Sequence, residues 1–295
     1  ELAYFGFQDK PKNITSEDWE QKEQLLFCSK KFGDDSDRAL MKPSGEVTYF
    51  MSDLLYHIDK IKRKFKILIN IWGVDHFGYV KRLKNALSEL IKDDYIFEIK
   101  LTSLVNLIKN GEKLKMSKRK GNYITMREVT KEVGVDALRF MMISRNADKT
   151  IDFDFDSLKI KNKDNPVFYV QYAYARCMSV LDISKEKIKE IEIDDFKLDY
   201  LTLNEEKMLI KYICNFYNVI KSAAEYFEPH RITNYLYDLS KVFHNYWGLG
   251  NIDKKKRIIT EDHDLTKSRL ALIKVVSMTI NKGLSLLKIS SPKSM

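Results

Sequence analysis

A short basic segment contains the residue types that bind a polyphosphate. Residues 115–122 read Lys-Met-Ser-Lys-Arg-Lys-Gly-Asn and place four cations, a hydroxyl and a glycine in eight positions. The ammonium groups of Lys115 and Lys118 could follow a triphosphate, and the Ser117 hydroxyl could donate to a phosphate oxygen. Cations already in place would stabilise the charge that builds on a leaving pyrophosphate. A solvated basic turn is the alternative that such a cluster leaves open.

A second candidate site follows an apolar segment. Residues 66–72 form a continuous apolar run, which predicts a parallel strand buried on both faces. Gly73 follows directly and would let the backbone approach a ribose, while Asp75 and His76 offer hydrogen-bonding groups for hydroxyls. A helix over residues 79–91 completes the strand–loop–helix unit expected at a nucleotide-binding edge. A merely structural Asp–His pair is the alternative.

Tyr49 and Asp53 lie at a predicted strand-to-helix junction. We expect residues 47–50 to belong to a hairpin and Ser52 to cap a helix that runs to about Arg63. A carboxylate accepts a bidentate guanidinium, so a ligand with that group could bind at this junction. The alternative is that Asp53 only complements the helix dipole.

The periodicity becomes helical beyond about residue 160, which predicts a domain boundary there. In the helix predicted over residues 167–181, Tyr169, Tyr172 and Arg176 fall together beside the apolar face. Two phenols and a guanidinium could stack on unpaired bases and pair with a phosphate. Core packing of the two tyrosines is the alternative.

The composition suits a folded protein with an anionic partner. Hydrophobic residues make up 44% of the 295 residues, and 51 Lys plus Arg against 42 Asp plus Glu leave a formal net charge of +9. That balance favours RNA as a partner, although many basic enzymes bind none. The three cysteines lack the spacing of a zinc site, and we predict no metal site. No apolar run is long enough to span a membrane, so we expect a cytoplasmic protein.

Several of these segments resemble one enzyme family. Lys-Met-Ser-Lys at residues 115–118 resembles the second signature of the class I aminoacyl-tRNA synthetases, and Gly-Val-Asp-Ala-Leu-Arg at 134–139 continues a pattern similar to arginyl-tRNA synthetase. Residues 73–79 resemble the segment Gly-Ala-Asp-His-His-Gly-Tyr of that family, with Phe77 in place of the second His. Residues 167–176 resemble a string of its anticodon-binding domain.

The resemblance covers essentially the whole chain and implies a fold and an activity. The fold would be the later half of an α/β Rossmann-type catalytic domain over residues 1–160, followed by an all-α anticodon-binding helical bundle over residues 161–295. The intact enzyme would be a monomer that activates arginine with ATP and Mg²⁺ and transfers the arginyl group to tRNA(Arg). Because the chain contains no His-x-Gly-His, the first class I signature, we expect a C-terminal fragment that is inactive alone.

The resemblance also implies roles for individual residues. The residues implied in catalysis are Lys115, Ser117 and Lys118. Those implied in ATP binding are Gly73, Asp75, His76, Met116 and Lys118. Those implied in arginine binding are Tyr49 and Asp53. Those implied in tRNA binding are Tyr169, Tyr172, Arg176, Phe243 and Trp247.

Alternatives remain for the function and for two features of the helical part. One is another class I synthetase, such as the cysteinyl type, which would lack the pair Tyr49 and Asp53. Another is a non-catalytic tRNA-binding module that retains the fold. Core burial is the alternative for Phe243, and the basic run at residues 254–257 is either a solvated loop or a phosphate contact.

Overall fold

The chain forms two compact packing units. The computed structural model describes residues 2–8, 21–92, 94–114, 116, 123–162, 164–185 and 197–295. The units divide the chain into Glu1–Leu104 and Val105–Met295. Within the described ranges, every helix is too short or too polar to cross a membrane.

The first unit starts with an antiparallel sheet. Its three strands pair in chain order: β1 (Ala3–Phe7), β2 (Glu23–Phe27) and β3 (Arg38–Met41). The hairpin expected at residues 47–50 is reduced to one bridge between Val47 and Met41. The reason is that the chain already turns into a helix at Thr48, whose side chain caps that helix.

A parallel strand pair with two helices follows. The elements, in chain order, are α1 (Tyr49–Lys62), β4 (Ile67–Gly73), α2 (Phe77–Leu90) and β5 (Ile96–Thr102). The two strands pair in parallel from Ile67 opposite Ile96 to Gly73 opposite Thr102. Helix α2 therefore forms the crossover of a β–α–β unit, and the predicted strand–loop–helix arrangement is confirmed.

Both helices of this unit cover one core. Its buried residues come from the first sheet and from the two helices: Phe27, Leu40, Phe50, Leu54, Leu83, Ala86 and Leu87. Leu54 is only 3% exposed, and burying a leucine side chain contributes roughly 2 kcal/mol. Because Leu54 follows Asp53 directly, this packing fixes the direction in which the Asp53 side chain leaves the helix.

Strand β4 is buried on one face only, so the prediction of burial on both faces is wrong. Leu68 and Asn70 are buried, whereas Ile67, Ile69 and Ile71 are 50%, 46% and 71% exposed. The buried face packs against α1, where the Asn70 amide lies 2.7 Å from the His57 ring nitrogen Nε2. Among the described residues, no helix covers the opposite face of the strand.

The second unit opens with a small mixed sheet and three short helices. The strands lie in the order β7-β6-β8, and the elements are β6 (Val105–Lys109), β7 (Glu112–Lys113), α3 (Met126–Val133), α4 (Val135–Met142), β8 (Ile151–Asp154) and α5 (Phe155–Lys159). Thr125 and Glu128 form a capping box at the start of α3. Gly134, with φ of 85°, joins α3 to α4.

Four long helices complete the second unit. They are α6 (Pro166–Lys185), α7 (Asn204–Glu225), α8 (His230–Ile252) and α9 (His263–Leu286). The face of α6 predicted to be apolar is buried, with Val170, Ala173 and Cys177 each 0% exposed. A mixed α/β part followed by an all-α part confirms the predicted fold class.

The packing units divide the chain at a different place from the predicted domains. Phe153 and Phe155 lie in the same core cluster as Val170 and Leu236, so this core runs across residue 160. The change from mixed α/β to all-α structure does occur near residue 160. The domain limits 1–160 and 161–295 therefore stay a prediction based on that change.

Candidate functional site

Tyr49 and Asp53 both lie on helix α1, which begins earlier than predicted. Its cap is Thr48, whose hydroxyl accepts a hydrogen bond from the Met51 amide at 3.3 Å. Ser52 is already inside the helix, and the prediction that it caps the helix is wrong because Thr48 has the extended backbone that a cap requires. Tyr49 and Asp53 are four residues apart and share one side of the helix.

The Asp53 carboxylate is oriented by Tyr79, a residue to which the sequence analysis gave no role. The Tyr79 hydroxyl donates to Asp53 Oδ2 at 2.7 Å. Burial of Tyr79 raises the pKa of its phenol, and the hydrogen bond to Asp53 raises it further. In the described structure no other donor reaches this carboxylate. Its second oxygen can therefore accept from a ligand, as the pairing of carboxylate with guanidinium requires.

Asp75 and His76 lie in a tight turn at the carboxyl end of β4. His76 Nε2 and Asp75 Oδ2 are 3.7 Å apart, and the side chains are 57% and 80% exposed. Gly73 has an ordinary negative φ, but a Cβ atom there would collide with the Asp75 carboxylate. Gly73 thus leaves room for the Asp75 side chain in its observed position, and a larger residue would make that exposed side chain turn away. The turn presents an acceptor and a ring nitrogen where open α/β sheets bind ligands.

A chain of contacts joins the two candidate sites of the first unit. Tyr79 donates to Asp53, and the Tyr79 ring centroid lies 5.6 Å from that of Trp72. The Trp72 ring lies 5.9 Å from the His76 ring. The structure thus connects Asp53, which is predicted to bind arginine, with His76, which is predicted to bind ATP. Trp72 and Tyr79 could have been suspected from their positions in the apolar strand and in the segment 73–79.

The predicted phosphate loop lies largely outside the described residues. This applies to Lys115, Ser117 and Lys118, whereas Met116 is described and is 49% exposed. The described flanks are ordered by local hydrogen bonds. The Leu114 amide donates to the Leu107 carbonyl at 2.8 Å on one side, and the Thr125 capping box starts α3 on the other. Both flanks belong to the second unit.

Four of the five side chains predicted to bind tRNA form one cluster on α6 and α8. The Arg176 guanidinium carbon lies 4.2 Å from the centroid of the Tyr172 ring and 5.2 Å from that of the Trp247 ring. Tyr169 and Tyr172 both pack against the ring of His244, at 4.4 and 5.8 Å between centroids. All five side chains are partly exposed. We call Tyr169, Tyr172, Arg176, His244 and Trp247 the aromatic cluster.

His244 is the member of the aromatic cluster that the sequence analysis missed. Its Nε2 donates to the Tyr169 carbonyl at 3.1 Å, so Nδ1 can accept from Arg176 Nη1, also at 3.1 Å. Burial lowers the pKa of His244 to about 4, and the charge of Arg176 lowers it further, against the opposing effect of the Tyr169 carbonyl. A neutral imidazole therefore anchors the Arg176 guanidinium between two rings. The sequence signal that could have identified His244 is its position three residues before Trp247 in the same helix.

A cavity of about 490 Å³ opens beside the aromatic cluster. Its size falls within the range of small-molecule pockets. The Phe168 ring extends the wall by stacking on Tyr172 with centroids 5.5 Å apart. The lining residues are Lys161, Asn162, Phe168, Tyr169, Tyr172, Arg176, His244 and Met295.

Phe243 does not belong to the exposed cluster, and its prediction as a tRNA contact is wrong. Its side chain is 0% exposed and packs in the core of the helical bundle. The reason is helical geometry, because Phe243 points to the core face that it shares with Leu239 and Tyr246. Its ring centroid lies 6.0 Å from that of Trp247, so it supports that side chain from inside.

Both parts of the chain match known protein families. The family of class I tRNA synthetases (I, L, M and V) matches residues 45–156, and the DALR anticodon binding domain matches residues 170–295. Proteins named arginine–tRNA ligase from Pelagibacter ubique and from Wolbachia pipientis subsp. Culex pipiens are 43% and 45% identical to it over 295 residues. The chain is similar over its whole length to arginyl-tRNA synthetases. It spans about half of these relatives, covering 51% of each.

A solved structure shows the same similarity. A Campylobacter jejuni protein described as an arginyl-tRNA synthetase matches with a TM-score of 0.79 and 33% identity, covering 92% of this chain and 57% of that one. The predicted family is therefore confirmed, and a synthetase of the cysteinyl type is not favoured. The roles of the individual residues stay predictions.

Proposed function

We propose that the chain supplies part of an arginine–tRNA ligase, which activates arginine with ATP and transfers the arginyl group to tRNA(Arg). The identity of 43–45% to proteins named arginine–tRNA ligase, over the whole of this chain, is the observation that carries the proposal. Residues 1–160 would serve the catalytic part and residues 161–295 the reading of the tRNA.

Arginine would bind at Asp53 in this scheme. Its carboxylate has one oxygen held by Tyr79 at 2.7 Å and the other available to a guanidinium. Tyr49, 92% exposed and one helical turn away, would pack on the planar guanidinium group. A lysine side chain has no planar fork, so this arrangement favours arginine over lysine.

ATP would bind along the carboxyl end of β4. Asp75 and His76 would hydrogen-bond the ribose hydroxyls, and Gly73 leaves room for the Asp75 side chain beside them. Met116 would contact the nucleotide, while Lys115, Ser117 and Lys118 would bind the phosphates and meet the charge that develops on pyrophosphate. No side chain acts as a nucleophile, because the arginine carboxylate and then the tRNA hydroxyl attack. Catalysis is then mainly positioning and charge stabilisation.

Mg²⁺ would arrive with the ATP phosphates rather than at a site of its own. Over the described ranges of the chain, no group of three or more His, Cys, Asp or Glu side chains could hold a metal ion. Mg²⁺ usually keeps several waters and binds through substrate phosphates and one or two carboxylates. The ion would neutralise phosphate charge when bound.

The aromatic cluster would read the unpaired bases of the tRNA. Base stacking on aromatic rings is worth about 1–3 kcal/mol per base. Tyr172 and Trp247 offer such rings, and Arg176 between them can bind a phosphate or a base edge.

We propose that the protein acts as a monomer.

The decisive experiment compares tRNA(Arg) with the same tRNA carrying a changed middle anticodon base, at one stated salt concentration. We expect at least tenfold weaker binding of the changed tRNA to this chain, measured by filter binding or fluorescence. Trp247→Ala should abolish most of this difference, whereas Tyr217→Ala on the exposed side of α7 should leave it intact. Equal affinity for both tRNAs would mean simple phosphate attraction and would contradict the proposal for the aromatic cluster.

A second experiment concerns the activation step. The sequence contains no His-x-Gly-His, so we propose that this chain alone does not catalyse arginine-dependent exchange between ATP and pyrophosphate. Exchange above background, absent without arginine, would refute this proposal.

A further inference from the structure

The basic loop at residues 254–257 has a defined conformation although its charges repel one another. Lys254–Lys256 form a helical turn, and the Asp253 side chain caps it by accepting from the Lys255 amide at 2.9 Å. In the part of the chain that the structure describes, the side chains of Lys254 and Lys256 form no ion pair. Residues 254–257 are four adjacent cations, and the Asp253 carboxylate that caps the turn offsets only part of their charge, so the local potential is positive.

A buried arginine holds the backbone of this loop. Arg269 on α9 is 3% exposed, and its Nη1 donates to the carbonyls of Lys255 at 2.9 Å and Arg257 at 2.6 Å. Its Nε donates to Glu206 Oε1 on α7 at 2.7 Å. The loop backbone is thus fastened to two helices of the bundle through one guanidinium.

The buried carboxylate of Glu206 is fully satisfied. Tyr246 donates to Oε1 at 3.1 Å, and the Leu203 amide donates to Oε2 at 3.0 Å. Burying such an ion pair costs desolvation energy, which its Coulomb attraction and hydrogen bonds offset only with good geometry. Through the two carbonyls that Arg269 contacts, the network fixes the conformation of the loop.

The loop forms one wall of a second cavity beside Trp247. The cavity measures about 350 Å³; Lys256 and Arg257 of the loop line it, together with Asn251 of α8. Arg257 Nε donates to the Gly250 carbonyl at 3.1 Å. A Cβ atom at Gly250 would lie 3.2 Å from Arg257 Cα, so the glycine allows the loop to approach α8 closely.

Trp247 connects this cavity with the aromatic cluster. Its ring lines the second cavity and lies 5.2 Å from the Arg176 guanidinium carbon, which lines the first. A strand of RNA whose bases stack at the aromatic cluster would carry its phosphates onward along this ring. Aromatic rings next to a fixed basic loop are typical of binding sites for single-stranded nucleic acid.

We propose that residues 254–257 and Trp247 form a groove that binds the sugar–phosphate backbone of the tRNA beside the bases held by the aromatic cluster. This inference rests on the proposed function. Lys254 and Lys256 supply the charges, and Arg269 acts as a positioning residue. Because phosphates carry no sequence information, the groove strengthens binding without discriminating between tRNAs.

The test neutralises two loop lysines and measures the salt dependence of tRNA binding. Lys254→Gln/Lys256→Gln leaves every backbone hydrogen bond of the loop in place. The control, Lys221→Gln/Lys282→Gln, removes the same charge near the far ends of α7 and α9. We expect the slope of log affinity against log salt to shrink by about 1.5 in the loop variant, and to change little in the control.

The outcomes separate this inference from the proposed function. The loop variant should weaken cognate and anticodon-changed tRNA by the same factor, so the preference between them persists. Equal slopes for the loop variant and the control would overturn the groove, even if the unmodified chain discriminates between the tRNAs. Failure of the unmodified chain to discriminate would count against the aromatic cluster alone, since the difference in slope still measures the groove.

Discussion

At the scale of single residues, the hydrogen bond from Tyr79 to Asp53 is the contact that prepares the proposed arginine site. It joins a largely buried phenol to a carboxylate at 2.7 Å. Hydrogen bonds to charged groups contribute about 1.5–3 kcal/mol. An oriented carboxylate also loses less conformational entropy when a guanidinium binds.

Tyr79→Phe should therefore lower the free energy of unfolding by about 1–2 kcal/mol, measured by urea denaturation at neutral pH. Tyr49→Phe is the matched control, because that side chain is 92% exposed and should change stability by less than about 0.5 kcal/mol. Combining Tyr79→Phe with Asp53→Asn should cost less than the sum of the single changes. If the losses of unfolding free energy in the two single variants simply added up in the double variant, the hydrogen bond between Tyr79 and Asp53 would not stabilise the chain.

His244 should make stability depend on pH. Its folded pKa of about 4 lies below the ordinary value of 6.5, so the unfolded chain binds the proton more readily. Stability from this group is full above pH 6.5 and is lost as the pH falls towards 4. When the pH is lowered from 7 to 5, the free energy of unfolding should fall by about 1 kcal/mol less in His244→Gln than in the unmodified chain. This value is reduced to account for the partial exposure of His244. Parallel losses in both proteins would exclude His244 as the cause.

At the scale of elements, hydrogen bonds connect α4 with residues 287–290. Asp136 accepts from the Gln171 side chain at 2.9 Å and from the Ser290 amide at 3.2 Å. Arg139 adds a hydrogen bond from its Nε to the Leu287 carbonyl at 2.5 Å. The segment Gly-Val-Asp-Ala-Leu-Arg, quoted above only as a family resemblance, thus holds the segment that leads to Met295.

Asp136→Ala should destabilise the chain by about 2–3 kcal/mol, because it leaves the largely buried Gln171 amide without its carboxylate partner. Hydrogen exchange at residues 287–290 should accelerate in the same variant. Asp148→Ala provides a control, since its carboxylate is 58% exposed. Unchanged exchange at 287–290 would show that Asp136 does not anchor the terminal segment.

At the scale of the whole molecule, the first unit carries an exposed apolar strip along β4 and β5. Its members are partly or largely exposed aliphatic and aromatic side chains: Phe65, Ile67, Ile69, Ile71 and Ile96. Contiguous apolar surface of this kind commonly marks an interaction site or a region prone to association. The helical bundle, in contrast, buries its apolar faces in one continuous core.

This strip should bind an apolar fluorescent dye such as ANS in the folded chain. Ile69→Thr/Ile71→Thr should lower the dye fluorescence at least twofold with little loss of stability, because threonine keeps the β-branched shape. Leu68→Thr, at a position only 5% exposed, should instead cost about 2–3 kcal/mol. Unchanged fluorescence in the double variant would place the dye site elsewhere.

Local patterns in the sequence determined much of the fold. The parallel strand before Gly73 and the apolar face of α6 were both predicted, because each depends on residues close together in the chain. Tyr169, Tyr172 and Arg176 were placed on one face for the same reason. The family was also predicted from contiguous segments.

Only the tertiary structure decided which residues meet across the chain. Tyr79 and Asp53 are 26 residues apart, and the Arg269 network joins residues 63 and 14 positions apart. No local period encodes such pairings, since they depend on how helices pack. The same holds for burial, because Phe243 and Trp247 are four residues apart on one side of a helix, and only packing decided that Phe243 is inside while Trp247 stays partly exposed.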